Sequence, residues 1–182
     1  MARSLAARRA IAFAIALAVF ALDRSVKWLL VGPYDLERSG PYTLLPFFDL
    51  RFTQNFGVSL GMFTATSAEM RMGLILVTGL IALGVAVWML RERLTGDLLG
   101  LALVLGGAMG NIYDRFMWGF VIDYADLHIG EWRPFLIFNI ADAAITFGVL
   151  ILLARSLLSR EKPGADENQQ GDVPAATETI DA

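Results

Sequence analysis

The stretch Met72-Gly-Leu-Ile-Leu-Val-Thr-Gly-Leu-Ile-Ala-Leu-Gly-Val-Ala-Val-Trp-Met-Leu90 carries no charged residue, and its reading decides the fold. Crossing about 30 Å of hydrocarbon takes roughly 20 apolar residues in a helix, so this segment is long enough to span a bilayer. Working outward, three more segments qualify. One runs over residues 10–31 and is interrupted by Asp23, Arg24 and Lys27; one runs from Leu98 to the pair Asp114–Arg115. The last covers residues 134–155, with Asp142 inside it. Lipid offers the backbone no hydrogen-bond partner, so such segments must be helices. The expected fold is an all-α integral membrane protein with four transmembrane helices, at about 10–31, 72–90, 98–115 and 134–155. Composition agrees: 56% of the 182 residues are hydrophobic and only 18% are charged, against about 45–50% and about 25% in soluble domains.

Absence of cysteine excludes disulfides, zinc-thiolate sites and cysteine nucleophiles, and the single histidine, His128, leaves no pair for a His-based metal cluster. No metal, no cofactor and no nucleic-acid partner is expected, and the chain is read as a monomer. Residues 1–158 form one membrane domain. The tail 159–182 carries Glu161, Asp166, Glu167, Asp172, Glu178 and Asp181 against Arg160 and Lys162 and holds no aromatic residue. Such a tail cannot bury enough surface to order itself, and it is expected to be disordered and cytoplasmic.

Basic residues in short loops set orientation. Arg3, Arg8, Arg9, Arg91, Arg93, Arg155, Arg160 and Lys162 fall on one side, against Arg38, Arg51, Arg71, Arg115 and Arg133 spread over longer loops on the other. Both termini are therefore expected in the cytoplasm, with residues 32–71 and 116–133 outside. A cleaved signal peptide over residues 1–21 is the rival reading; the apolar run resuming at Trp28 to Val31 argues against it. In the first outer loop, residues 49–54 alternate, with Leu50 and Phe52 on one face and Asp49, Arg51 and Thr53 on the other. That period of two predicts a short half-buried strand, within a small β-structured platform between the first two spans.

Ionisable residues in a span are costly and mark function by default. At about 1.5 Å rise per residue, Asp23, Lys27, Arg115 and Asp142 all fall in the outer half of the membrane, with Asp142 placed roughly 12 Å below the outer end of the fourth helix. Asn111, Asp114 and Arg115 share one helix face, as do Asn139 and Asp142, and Gly106, Gly107 and Gly110 leave one face of the third helix bare for close packing. Asp123 and Asp142 have no private cation. Two such carboxyls brought together share one proton and can hold a water between a base and an acid. Asp126, His128 and Glu131 are expected to be solvated loop residues. Val121–Leu127 is read as part of an outer loop.

Five strings, Asp23-Arg-Ser-Val-Lys27, Asn55-Phe-Gly57, Gly106 to Arg115, Val121-Ile-Asp123 and Phe138-Asn-Ile-Ala-Asp142, together resemble the successive signature blocks of bacterial lipoprotein signal peptidase, in order and spacing. The resemblance covers about residues 10–155. It implies an intramembrane aspartic endopeptidase of the inner membrane that cleaves prolipoproteins before a diacylglyceryl-modified cysteine. It further implies Asp123 and Asp142 as the catalytic pair, near the periplasmic face. Asp23, Lys27, Asn55, Gly57, Asn111, Asp114, Arg115 and Asn139 match the supporting polar residues, and the implied partners are lipid-modified precursors and membrane lipids. One departure is Val58-Ser59-Leu60, where many members read Ala-Ala-Phe. The competing class is a small proton-coupled transporter, which needs a polar path to both faces; Met72–Leu90 and Leu98–Leu105 supply none.

Overall fold

The computed structural model describes residues 4–57 and 68–159. The segment holding Val58-Ser59-Leu60 and the acidic tail lie outside the described residues. Among them, four helices are long and apolar enough to cross a membrane: α1 (Leu5–Val31), α3 (Ala68–Arg91), α4 (Thr95–Met117) and α5 (Ile140–Ser159). A short helix α2 (Leu36–Ser39) and strands β1 (Tyr42–Leu45) and β2 (Phe48–Asn55) lie between α1 and α3, and β3 (Val121–Leu127) lies between α4 and α5.

Each span starts and stops for a local reason. Ser4 caps α1 by accepting from Ala7 N at 3.2 Å, and the helix ends at Gly32, with Pro33 beyond it. Between α3 and α4, the Glu92 carboxylate closes the turn by accepting from the backbone N–H of Arg93 and Leu94 at 2.7 and 2.8 Å. Arg8 donates to the Arg93 carbonyl at 3.0 Å, so the start of α1 and the α3–α4 turn share one end of the bundle. Arg155, near the end of α5, joins them by pairing with Asp97.

Helix α4 is the hub. Half of its most apolar window is buried, against 17% or less in the other three spans. Its glycines serve two neighbours rather than the single bare face expected from sequence. Gly106 lies against Ala16 and Val19 of α1, and Gly107 against Ala141 and Ile145 of α5. Successive helical residues point about 100° apart, which is how adjacent glycines admit two different helices. Met89, Leu98, Leu101, Ala102 and Leu105 fill the core beside them, with Ala12 and Ala16 of α1 and Ala82 of α3.

The platform is a three-stranded antiparallel sheet in the order β1-β2-β3. The strand expected over 49–54 is observed as β2. Its partner β3 lies in the connection between α4 and α5, where the sequence predicts loop, so the platform draws on two connections and not only on the one between α1 and α3. Register pairs Thr53 with Asp123 and Asn55 with Val121. A second apolar cluster of Leu30, Leu36, Tyr124 and Ala125, with Leu50, Phe52 and Phe138 packed on it, fastens this sheet to the end of α1.

Two further expectations are corrected. Helix α5 starts at Ile140, six residues later than the apolar run beginning at Pro134, so Asp142 stands in its first turn instead of roughly 12 Å down the helix. Asp126 is fully buried rather than solvated, lying within 3.5 Å of Arg51 and 3.2 Å of Arg133. His128 sits 3.3 Å from Asp49 and is mostly covered; Glu131 is exposed, as expected of a loop.

Candidate active site

The site assembles where the N-terminus of α5 meets β3, α1 and α4. A helix start leaves its first backbone N–H groups without intrahelical partners, and here each finds one. Ile140 N donates to the Tyr124 hydroxyl at 3.3 Å, Ala141 N to Asp23 Oδ1 at 3.1 Å, and Asp142 N to Asn139 Oδ1 at 2.9 Å. In return Asn139 N donates to Asp142 Oδ2 at 3.2 Å. This reciprocal pair is a capping box built from Asn and Asp, and it fixes the Asp142 carboxylate.

That capping also fixes which way the Asn139 amide faces. Its oxygen is taken by Asp142 N, so its NH₂ points the other way, to Asp123 Oδ1 at 2.6 Å and to Asn111 Oδ1 and the Ile122 carbonyl, each at 3.3 Å. Asn111, with its oxygen thus accepting, turns its own NH₂ onto Asp142 Oδ1 at 2.7 Å. Asn55 follows the same logic. Its oxygen accepts from Gly57 N at 2.9 Å, leaving its NH₂ to donate to Asp123 Oδ2 at 2.9 Å. Gly57 makes that turn at φ +101°, where a side chain would be strained and would also run into Leu74. Three amides therefore aim their donors at two carboxyl groups, and aspartate at any of the three positions would reverse the polarity.

Behind this layer lies an ion network with a fully buried centre. Lys27 Nζ stands 2.8 Å from Asp23 and 2.7 Å from Asp114, all three side chains fully buried. Asp114 also pairs with Arg24 and accepts from Ile122 N at 3.2 Å. The network thereby grips β3 one residue before Asp123 and, through Asp23, the start of α5 two residues after Asn139. Arg24 is the member sequence reading missed; its guanidinium lies 4.4 Å from the centre of the Tyr113 ring. Its place one residue after Asp23 was the available signal. Tyr124, also missed, has its hydroxyl held neutral by burial, which pushes its ionisation above the ordinary tyrosine range.

Arg115 does not join that network. Its guanidinium donates to the Asn111 carbonyl at 3.4 Å, runs close beside Gly57, and keeps a buried Nε with no hydrogen-bond partner among the described residues. Phe120 packs edge-on against Phe52 and Phe56, closing the platform side, while Trp118 is exposed. Among the described residues, no three His, Cys, Asp or Glu side chains gather as metal ligands.

Asp123 is itself perturbed. It is 2% exposed. Burial, then the nearby charge of Asp142, push its carboxyl from the ordinary range up to about 7, against the opposing pull of the Asn55 and Asn139 amides. A carboxyl displaced by burial and a like charge is the physical mark of an acid–base site.

A sequence model described as Signal peptidase (SPase) II matches residues 15–158. The chain belongs to the signal peptidase II family. It is 52% identical over 145 residues to the lipoprotein signal peptidase of Sphingopyxis alaskensis, covering 80% of this chain and 84% of that one. To the lipoprotein signal peptidase of Rhizorhabdus wittichii it is 50% identical over 167 residues, covering 92% and 96%. A bacterial membrane enzyme solved by the in meso method at 2.3 Å shares the fold, with a TM-score of 0.73 at 21% identity over 90% of this chain and 95% of that one. As a member of the signal peptidase II family, the chain is a membrane-spanning bacterial protease.

Proposed function

We propose that this peptidase removes signal peptides from diacylglyceryl-modified prolipoproteins, cutting before the lipidated cysteine with a water held between Asp123 and Asp142. The observation that carries the reading is the Asp123 carboxyl, pushed up to about 7 beside a second carboxylate that the Asn111 amide and the start of α5 hold in place. Below that pH Asp123 keeps a proton, and Asp142 is left to act as the base. Asp142 takes a proton from the water as its oxygen attacks the peptide carbonyl, and Asp123 gives its proton to the developing oxyanion. On collapse Asp142 returns its proton to the leaving nitrogen, Asp123 recovers one from the hydroxyl, and the pair is regenerated with one water consumed.

Depth supports the substrate class. The carboxyls lie at the end of the spans where α5 begins, against the surface sheet, so a scissile bond meets water there while acyl chains stay in lipid. The bias of basic residues toward the opposite end supports a cytoplasmic position for that end, with the site near the periplasmic face of the inner membrane. Relatives named for lipoproteins agree with this reading.

Two measurements on the purified full chain test it. Lipidated precursor is cleaved, and the same precursor without its diacylglyceryl group is cut at least about tenfold less efficiently, since two acyl chains are what confine it at membrane depth; equal cleavage contradicts the reading. The second is the pH profile. Raising pH through about 7 strips the Asp123 proton and leaves two anions facing the water, so turnover falls on the alkaline side, by about tenfold per pH unit once past that point. A rate still rising through pH 8 contradicts the assignment of Asp123 as the acid.

A further inference from the structure

At the end of the bundle opposite the carboxyls, a groove of about 640 Å³ runs between α1 and α4. Its walls are Ile11, Ala12, Ile15 and Leu99, and its mouth is Arg8 and Thr95. From Arg8 to Ile15 it follows about two turns of helix, roughly 10 Å, much of the depth of one leaflet. The Arg8 Nη1 group reaches across the mouth to the Arg93 carbonyl at 3.0 Å and the Thr95 hydroxyl at 3.3 Å, while its Nε is buried and has no hydrogen-bond partner among the described residues.

Charge around the mouth is mostly positive. Among the described residues, Arg8, Arg9, Arg91, Arg93 and Arg155 gather at this end against Glu92 and Asp97. Asp97 is engaged by Arg155, and Glu92 is engaged by the backbone of its own turn, which lowers its carboxyl below the ordinary range. An apolar slot opening beside an arginine in a cationic rim fits a molecule with a fatty chain and an anionic head.

We propose that this groove binds one anionic phospholipid of the adjoining leaflet, its acyl chain along Ile11, Ile15 and Leu99 and its phosphate on Arg8. Native mass spectrometry of the full-length protein, released from mixed phosphatidylglycerol and phosphatidylcholine micelles, tests it. One phosphatidylglycerol is retained in preference to phosphatidylcholine by roughly fivefold, the gain expected from one basic side chain against an anionic lipid. Arg8→Gln brings the preference close to one. Ile11→Trp, which crowds the slot, lowers retention of both lipids. Both variants keep prolipoprotein cleavage, which shows that they fold. Equal retention of the two lipids by the unaltered protein overturns the proposal, as does a preference that both variants leave intact. A dimer peak that Ile11→Trp abolishes also overturns it, because a second copy would then be the occupant.

Discussion

Asp123→Asn and Asp142→Asn each reduce prolipoprotein cleavage by at least about 1,000-fold, within the range that loss of a general acid or base produces, while the protein still inserts and folds. The fold survives for a geometric reason. An asparagine at 142 still offers one oxygen to Asn139 N or to Asn111 Nδ2, and its backbone N–H keeps its bond to Asn139 Oδ1. At 123 an amide oxygen can accept from Asn139 Nδ2, although its NH₂ then faces the Asn55 donor. What both changes remove is the ability to pass a proton. Cleavage assays on equal amounts of monodisperse protein, with helix content matched by circular dichroism, read the effect. Turnover within tenfold of the unaltered enzyme in either variant removes that carboxyl from the mechanism.

Lys27→Met is the change with the largest expected effect on stability. It takes the cation from between two carboxylates that have no contact with solvent, Asp23 at 2.8 Å and Asp114 at 2.7 Å. Removing one partner of a buried ion pair typically costs about 3–5 kcal/mol, because a charge is left unpaired rather than because the pair itself was strong. Asp114 retains Arg24 and Ile122 N, so the loss centres on Asp23, which among the described residues retains Ala141 N alone. Adding Asp23→Asn to Lys27→Met removes that stranded charge yet keeps an oxygen for Ala141 N. The double variant therefore recovers about 1–3 kcal/mol, the usual coupling between residues in contact. Unfolding of all four proteins in one detergent checks this; simple addition of the two single effects would show that Lys27 and Asp23 are not coupled.

Much of this architecture was legible from hydropathy alone, because the bilayer imposes a length and a solvent on each span. Asp123 and Asp142 stand out as candidates because charge within or beside an apolar segment must be explained, and the family resemblance is what pairs them. The start of α5 was not found, because Pro134-Phe-Leu-Ile-Phe138 is as apolar as the helix after it. The informative signal was the Asn139-x-x-Asp142 spacing, which is a helix start. Strand β3 was missed for a different reason. Val121–Leu127 is buried on both faces almost throughout, so no alternation separates a wet side from a dry one, and two aspartates in seven residues read as a loop. Those aspartates are tolerated because each has partners that are remote in sequence, Asn55 and Asn139 for Asp123, Arg51 and Arg133 for Asp126. The same holds for Arg24, whose ion pair lies 90 residues away. Tertiary satisfaction of this kind leaves no periodic trace in the chain.

The proposed mechanism needs one proton held at Asp123 beside the Asp142 carboxyl. Infrared difference spectra of the carboxyl C=O stretch, recorded against pH on the unaltered protein and on Asp123→Asn, observe that proton directly. A band that persists to neutrality, vanishes as pH rises through about 7 and is missing from Asp123→Asn is the expected result. Spectra in which every carboxyl sensitive to Asp123→Asn has ionised by about pH 5, near the ordinary carboxylate range, would contradict it.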